Sequence, residues 1–262
     1  MTSSLIPVSP RQVTIGDAAS FVGTTPQEIR RYHEIGLLPE PERGSDDRRY
    51  GYEEMIRLLW IRKMVDAGIT VDDIHAAFAD TAPASADSDH AVAGTLQLSL
   101  LSDFVTNRLT NLPEGSLRQA DLDILLVTER IFGPLGAAVQ AGRFIALATH
   151  PGLREESDRV DTAEEALDDT IAVDDPRVAQ VAAERHAFEL TLHAVIDDSG
   201  LDQEDDALFD AWDVLYPASA EESEDEAGQG SMSAVEAIGK MPYDFSPARF
   251  RCMEQAQEIA AC

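Results

Sequence analysis

The sequence predicts a mainly all-α protein with a single small β-hairpin. Three observations carry that expectation. Helix-start signals recur through the first eighty residues, apolar residues recur at spacings of three and four along most of the rest, and strand-like alternation is nearly absent. The chain has 262 residues, 44% of them hydrophobic, which suffices for one large or two modest domains with a full core.

The N-terminal elements follow from local chemistry. TIGD (Thr14 to Asp17) sets a capping hydroxyl three residues before a carboxylate. TPQE (Thr25 to Glu28) repeats this with Pro26 at the first helical position, and TVDD (Thr70 to Asp73) repeats it again. Ile69 and Ile74 flank the third cap as an apolar staple, and Gly23, Gly36 and Gly68 sit where helices should stop. Helices are therefore expected at 14–21, 25–35, 52–67 and 70–79. Only VGT separates the first two, which makes them a helix-turn-helix unit. On the second helix Ile29, Tyr32 and Ile35 are spaced for burial, while Gln27, Arg30, Arg31 and Glu34 face elsewhere. Thr24, Thr25, Gln27 and Arg31 lie near its start, the part such units insert into the major groove. PEPERGSDDRRYGYEEM (Pro39 to Met55) joins turn residues to Arg48, Arg49, Tyr50 and Tyr52, the composition of a wing with basic and aromatic tips near phosphates. Asp46 and Asp47 would repel DNA from that tip.

Charge sharpens the expectation. The formal net charge is −29, which repels nucleic acid at long range. Residues 1 to 80 hold nine Lys/Arg against thirteen Asp/Glu, and the rest holds eleven against thirty-six. DNA binding must therefore come from a local basic surface, and the first eighty residues are where one can exist. The N-terminus lacks a basic start followed by an apolar core, no apolar run approaches the ~20 residues of a membrane span, and the two cysteines, Cys252 and Cys262, cannot form a disulfide framework. A cytoplasmic protein without a membrane partner is expected.

The run TIGDAASFVGTTPQEIRRYHEIGLLPEPERGSDDRRYGYEEMIRLLWIRKMVDAGITVDDI resembles the winged helix-turn-helix domain of the MerR family of transcription regulators, from Thr14 to about Phe78. The likeness lies in the order of its pieces: TIG…A…VG, IRRYHEIGLL, an Arg-x-Tyr wing, LLWIRKM and DAGITVDDI. It implies a homodimer that binds a pseudo-palindrome in double-stranded promoter DNA and distorts the spacer so that RNA polymerase can use it. It carries DNA contact onto Thr24, Thr25, Gln27, Arg30, Arg31, Tyr32 and His33 of the second helix, and onto Arg48 and Tyr50 of the wing, with Arg49 between them. The chain departs from the family at Arg30-Arg31-Tyr32-His33, where Arg-Tyr-Tyr-Glu is usual, and at Asp46-Asp47-Arg48, where Gly-Tyr-Arg is usual. Read from the residues alone, His33 is open between DNA contact and packing, as are Tyr50 and Tyr52. Trp60 belongs in the core.

DTAPASADSDH (Asp80 to His90) has linker composition. The expected division is a DNA-binding domain at 1–80, a linker at 81–90 and an α-helical dimerisation and effector domain at 91–262. Residues 91–112 read as one helix with two apolar rows, either the family's dimer helix or a core helix. Further helices are expected at 117–148 (broken near Gly133-Pro134), 161–173, 176–198, 203–216 and 246–260. SAEESEDEAGQGS (Ser219 to Ser231) has the make-up of a solvated loop. His186 and His193, seven apart, share a helix face, but no metal or cofactor site and no enzymatic motif stands out. Phe132, Phe144, Phe188, Phe209, Trp212 and Tyr216 could line an apolar pocket for a lipophilic effector. A plain packed core is the rival reading for each.

The sequence thus favours a dimeric regulator whose C-terminal domain answers a small-molecule effector or a protein partner. Two other classes stay open: a compound-sequestering binding protein, and a chromosome-organising protein using the same N-terminal module.

Overall fold

Three short helices and a long one are locked together by contacts that the caps initiate. In the computed structural model, which describes residues 11–39, 49–79, 96–215 and 240–261, the N-terminal elements are β1 (Val13–Thr14), α1 (Ile15–Val22), α2 (Pro26–Glu34), β2 (Arg49–Tyr50), α3 (Tyr52–Asp66) and α4 (Val71–Ala79). All three predicted caps form. Thr14 Oγ1 accepts from the Asp17 amide at 3.2 Å, Thr25 Oγ1 from Glu28 at 3.1 Å and Thr70 Oγ1 from Asp73 at 3.3 Å. Gly23, at φ 80°, reverses the chain between α1 and α2, a conformation glycine adopts without a Cβ clash. β1 pairs antiparallel with β2, Val13 facing Tyr50 and Thr14 facing Arg49. The small sheet therefore ties the start of α1 to the start of α3, and residues 40–48 of the expected wing lie outside the described residues.

α3 is apolar on more than one side. Met55, Ile56, Leu58, Leu59, Trp60, Ile61 and Met64 are all buried, as expected of a helix with neighbours all round. Phe21, Ile29, Leu37, Leu38 and Ile74 complete this core. Fully burying such a side chain contributes roughly 2 kcal/mol.

Residues 96–100 are helical, followed by α5 (Asp103–Leu109) and α6 (Gln119–Thr149). The single helix expected over 91–112 is thus interrupted. Ser102 is extended (φ −61°, ψ 156°), and its amide donates to Glu129 Oε2 at 2.9 Å instead of to a carbonyl one turn back. α6 breaks at Gly133 (φ 77°, ψ 179°) just before Pro134, as expected. Proline supplies no amide hydrogen and disfavours helical geometry in the residue before it. By length and composition α6 could cross a membrane. Its polar residues are engaged within the protein, however: Asp121 caps at Arg118, Asp123 accepts from Trp60, and Glu129 pairs with Lys63.

The last helices are α7 (Pro151–Glu165), α8 (Pro176–Asp198), α9 (Leu201–Leu215) and α10 (Pro247–Ala260). The helix expected at 161–173 is corrected to α7. The face α7 buries is Leu153, Ser157, Val160 and Glu164, half of it polar, so the apolar spacing that marks a helix is diluted. The chain leaves the helix after Glu165, and Asp175 then caps α8. α7, α8 and α10 enclose a second core of Leu167, Val178, Val181, Ala182, Ala248 and Cys252. Ser246 opens α10 as expected, accepting from the Arg249 amide at 3.0 Å, and its hydroxyl donates to the Leu167 carbonyl.

The described residues cluster into two compact units, one of 11–141, 208–215 and 240–243, the other of 142–207 and 244–261. The residues expected as a linker, 81–90, lie outside the described set.

Candidate nucleic-acid interface

α2 begins with a closed capping box. Glu28 Oε2 accepts from the Thr25 amide at 3.2 Å and from the Thr24 hydroxyl at 2.7 Å, while the Glu28 amide donates to Thr25 Oγ1. The Thr24 hydroxyl is the main reason the Glu28 carboxyl lies below its ordinary value, and the Thr25 groups add to it. Both threonines therefore set the start of the helix. Thr25 is exposed and Thr24 half-exposed.

Gln27, Arg30, Arg31 and Glu34 form one exposed stripe at positions i, i+3, i+4 and i+7. Arg30 and Arg31 make no ion pair among the described residues. Seven other cations among the described residues contrast with them. Arg62, Lys63, Arg143, Arg159, Arg177, Arg185 and Arg251 are all held by carboxylates. Two adjacent guanidiniums are thus left facing water on the helix that follows the tight turn.

The other residues expected at DNA divide differently. Tyr32 is buried, and burial raises its hydroxyl above the ordinary tyrosine value, so it stays neutral. His33 and Tyr50 are buried together. His33 Nε2 lies 3.0 Å from the Tyr50 hydroxyl, and its Nδ1 lies 3.1 Å from the Leu38 carbonyl. Of the two readings left open for His33 and Tyr50, the structure shows the packing one: they join the end of α2 to β2 and to the turn behind it. Arg49 is exposed beside Tyr50, and Arg48 lies outside the described residues. Tyr52 is half-buried against Tyr243, with ring centroids 5.6 Å apart.

A second layer had no signal in the sequence. The Trp60 indole N–H donates to Asp123 Oδ1 at 2.7 Å, Lys63 pairs with Glu129, and the Arg130 guanidinium donates to the Phe21 carbonyl near the end of α1. Burial raises Asp123 above the ordinary aspartate range, against the opposing pull of Trp60 and Gln119. These bonds fasten the first half of α6 onto the helix-turn-helix segment. The partners are more than sixty residues apart, so no local pattern announces them.

Of the six residues expected around an effector pocket, two fall in one unit and three in the other. Phe144 and Phe188 are buried in the unit that includes α7 and α8. Phe132 and Phe209 are exposed, at 56% and 49%, and Trp212 meets Phe104 at a tilt with ring centroids 5.5 Å apart, all in the other unit. Tyr216 lies outside the described residues. Phe188 does border a cleft of about 660 Å³, together with His150, Leu153, Glu156 and Val195.

Comparison with known proteins matches this geometry at the N-terminus. Residues 13–81 match the model of the MerR HTH family regulatory protein. The mercuric resistance operon regulatory protein of Bacillus cereus is 38% identical over 61 residues, which span 23% of this chain and 46% of that protein. The chain thus covers about half the length of this curated relative, and no solved structure gives a significant match. With its caps, tight turn and exposed arginine stripe, the segment 13–81 is a MerR-type helix-turn-helix domain.

Proposed function

We propose that this chain is a DNA-binding transcription regulator. Residues 1–80 read promoter DNA as part of a homodimer, and residues 91–262 set the state of that dimer. The observation that carries this is the Arg30–Arg31 pair on α2, without an ion pair among the described residues and beside exposed Gln27 and Thr25. In a chain of net charge −29, cations left without carboxylate partners form the local surface that phosphates and base edges require. The fastening of α6 to α1 and α3 supports a route of control. A change in the second segment alters the setting of the helix-turn-helix, and thereby how far promoter DNA is distorted.

Replacing Arg30 and Arg31 with alanine tests the contact surface. Footprinting on a selected promoter fragment should show affinity falling by a hundredfold or so, with the slope of log K against log salt falling by about one per phosphate contact removed. Circular dichroism should be unchanged. Full protection of the fragment by the double variant would remove α2 as the reading surface.

A further inference from the structure

The second unit contains a cleft of about 460 Å³ between α8 and α10, within the size range of small-molecule sites. Its polar lining differs from the rest of this acidic chain. Arg249 makes no ion pair among the described residues, its Nε is buried without a hydrogen-bond partner, and its guanidinium lies 4.4 Å from the centre of the Phe245 ring. His186 and His193, two turns apart on one face of α8, line the same cleft and have no hydrogen-bond partner among the described residues. The carboxylates there are already taken. Glu164 accepts from Arg185 Nε at 2.6 Å, and Glu189 is held by Arg143 at 2.8 Å. Burial pulls Arg185 down, but its hydrogen bonds to Glu164 and Asp161 outweigh that and keep it firmly charged. The donors left open are therefore Arg249 and the two histidines. Met253, Ala256 and Ala260 supply an apolar border.

We propose that this cleft binds an amphipathic organic carboxylate, with the carboxylate taken by Arg249, His186 and His193 and the apolar body lying along Met253, Ala256 and Ala260. An unpaired, partly desolvated guanidinium gains most from a carboxylate, because charge-assisted hydrogen bonds are about twice as strong as neutral ones. A neutral amide of the same shape offers that donor only an uncharged, weaker acceptor. This site is independent of the DNA-binding reading.

Calorimetric titration of the full chain, without DNA, with 2-naphthoate and with its neutral analogue 2-naphthamide tests the inference. The carboxylate should bind at least about tenfold more tightly than the amide, and R249M should erase that difference. Ala260 is exposed at the cleft rim, so A260W should block naphthoate while leaving Arg249 in place. It decides the matter if R249M does not fold. Absence of naphthoate binding at millimolar concentration, equal affinity for the amide, or undiminished binding by R249M or A260W would each overturn the proposal. Because no DNA is present, such a failure leaves the helix-turn-helix reading untouched.

Discussion

His33 shows how a residue on the helix that carries the exposed arginines can serve packing. Its two ring nitrogens bridge the Leu38 carbonyl and the Tyr50 hydroxyl, both out of water's reach. Replacing His33 with alanine removes both of these buried hydrogen bonds. Chemical denaturation should show a loss of about 2–4 kcal/mol, and a loss below half a kcal/mol would contradict the bridge. Asp123 invites a second measurement. Burial raises its folded-state value above the ordinary 3.8, so the native protein retains the proton over a window opening there and extending upward. Stability falls across that window as pH rises. Asp123→Asn keeps an acceptor for Trp60 and cannot ionise, so the difference in stability between variant and wild type should grow in the variant's favour through this window and then level off. A flat difference from pH 3.5 to 7 would refute the buried carboxylate. Neither residue's role was legible in the sequence. His33 looked equally suited to DNA and to packing, and nothing in the order of residues ties Trp60 to position 123.

At the scale of elements, the sequence was most informative where the physics is local. Each cap is settled within four residues, which is why TIGD, TPQE and TVDD could be read directly and why the start of α2 fell where expected. The break at Gly133-Pro134 is local for the same reason. Legibility ended where burial is polar or distant. α7 hides Ser157 and Glu164 on its inner face because Arg185 on α8 satisfies Glu164, so a search for apolar spacing misplaced it. The helix over 91–112 was read as unbroken because the competitor for the Ser102 amide, Glu129, lies 27 residues on. The capping box predicts its own perturbation. Thr25→Ala removes the hydroxyl that receives the Glu28 amide, and the protein should lose about 1 kcal/mol in denaturant unfolding. Unchanged stability would show that Thr24 alone holds Glu28.

Taken whole, the molecule combines a legible N-terminus with a C-terminal half of which only some elements could be foreseen. Residues 13–81 carry several spaced signals in a fixed order, whereas the cleft at Arg249 depends on two helices about sixty residues apart. The charge is also a property of the whole. With 49 acidic against 20 basic residues, self-repulsion should outweigh the ion pairs, of which exposed ones such as Arg159–Glu156 and Arg177–Asp175 are each worth under about 1 kcal/mol. Raising NaCl from about 0.01 M to about 0.5 M shortens the screening length from roughly 30 Å to a few ångströms and should raise the melting temperature. A fall in melting temperature over that range would mean that specific ion pairs, not net charge, govern the electrostatics.

The bond between Trp60 and Asp123 gives the protein a built-in optical gauge. The chain has two tryptophans, and the other, Trp212, meets Phe104 at a tilt with ring centroids 5.5 Å apart. With Trp212 replaced by phenylalanine, emission comes from one buried indole whose N–H is held by α6. Any event that loosens α6 from α3 admits water to that ring and shifts its emission to the red, so the α3–α6 contact can be followed in real time without a dye.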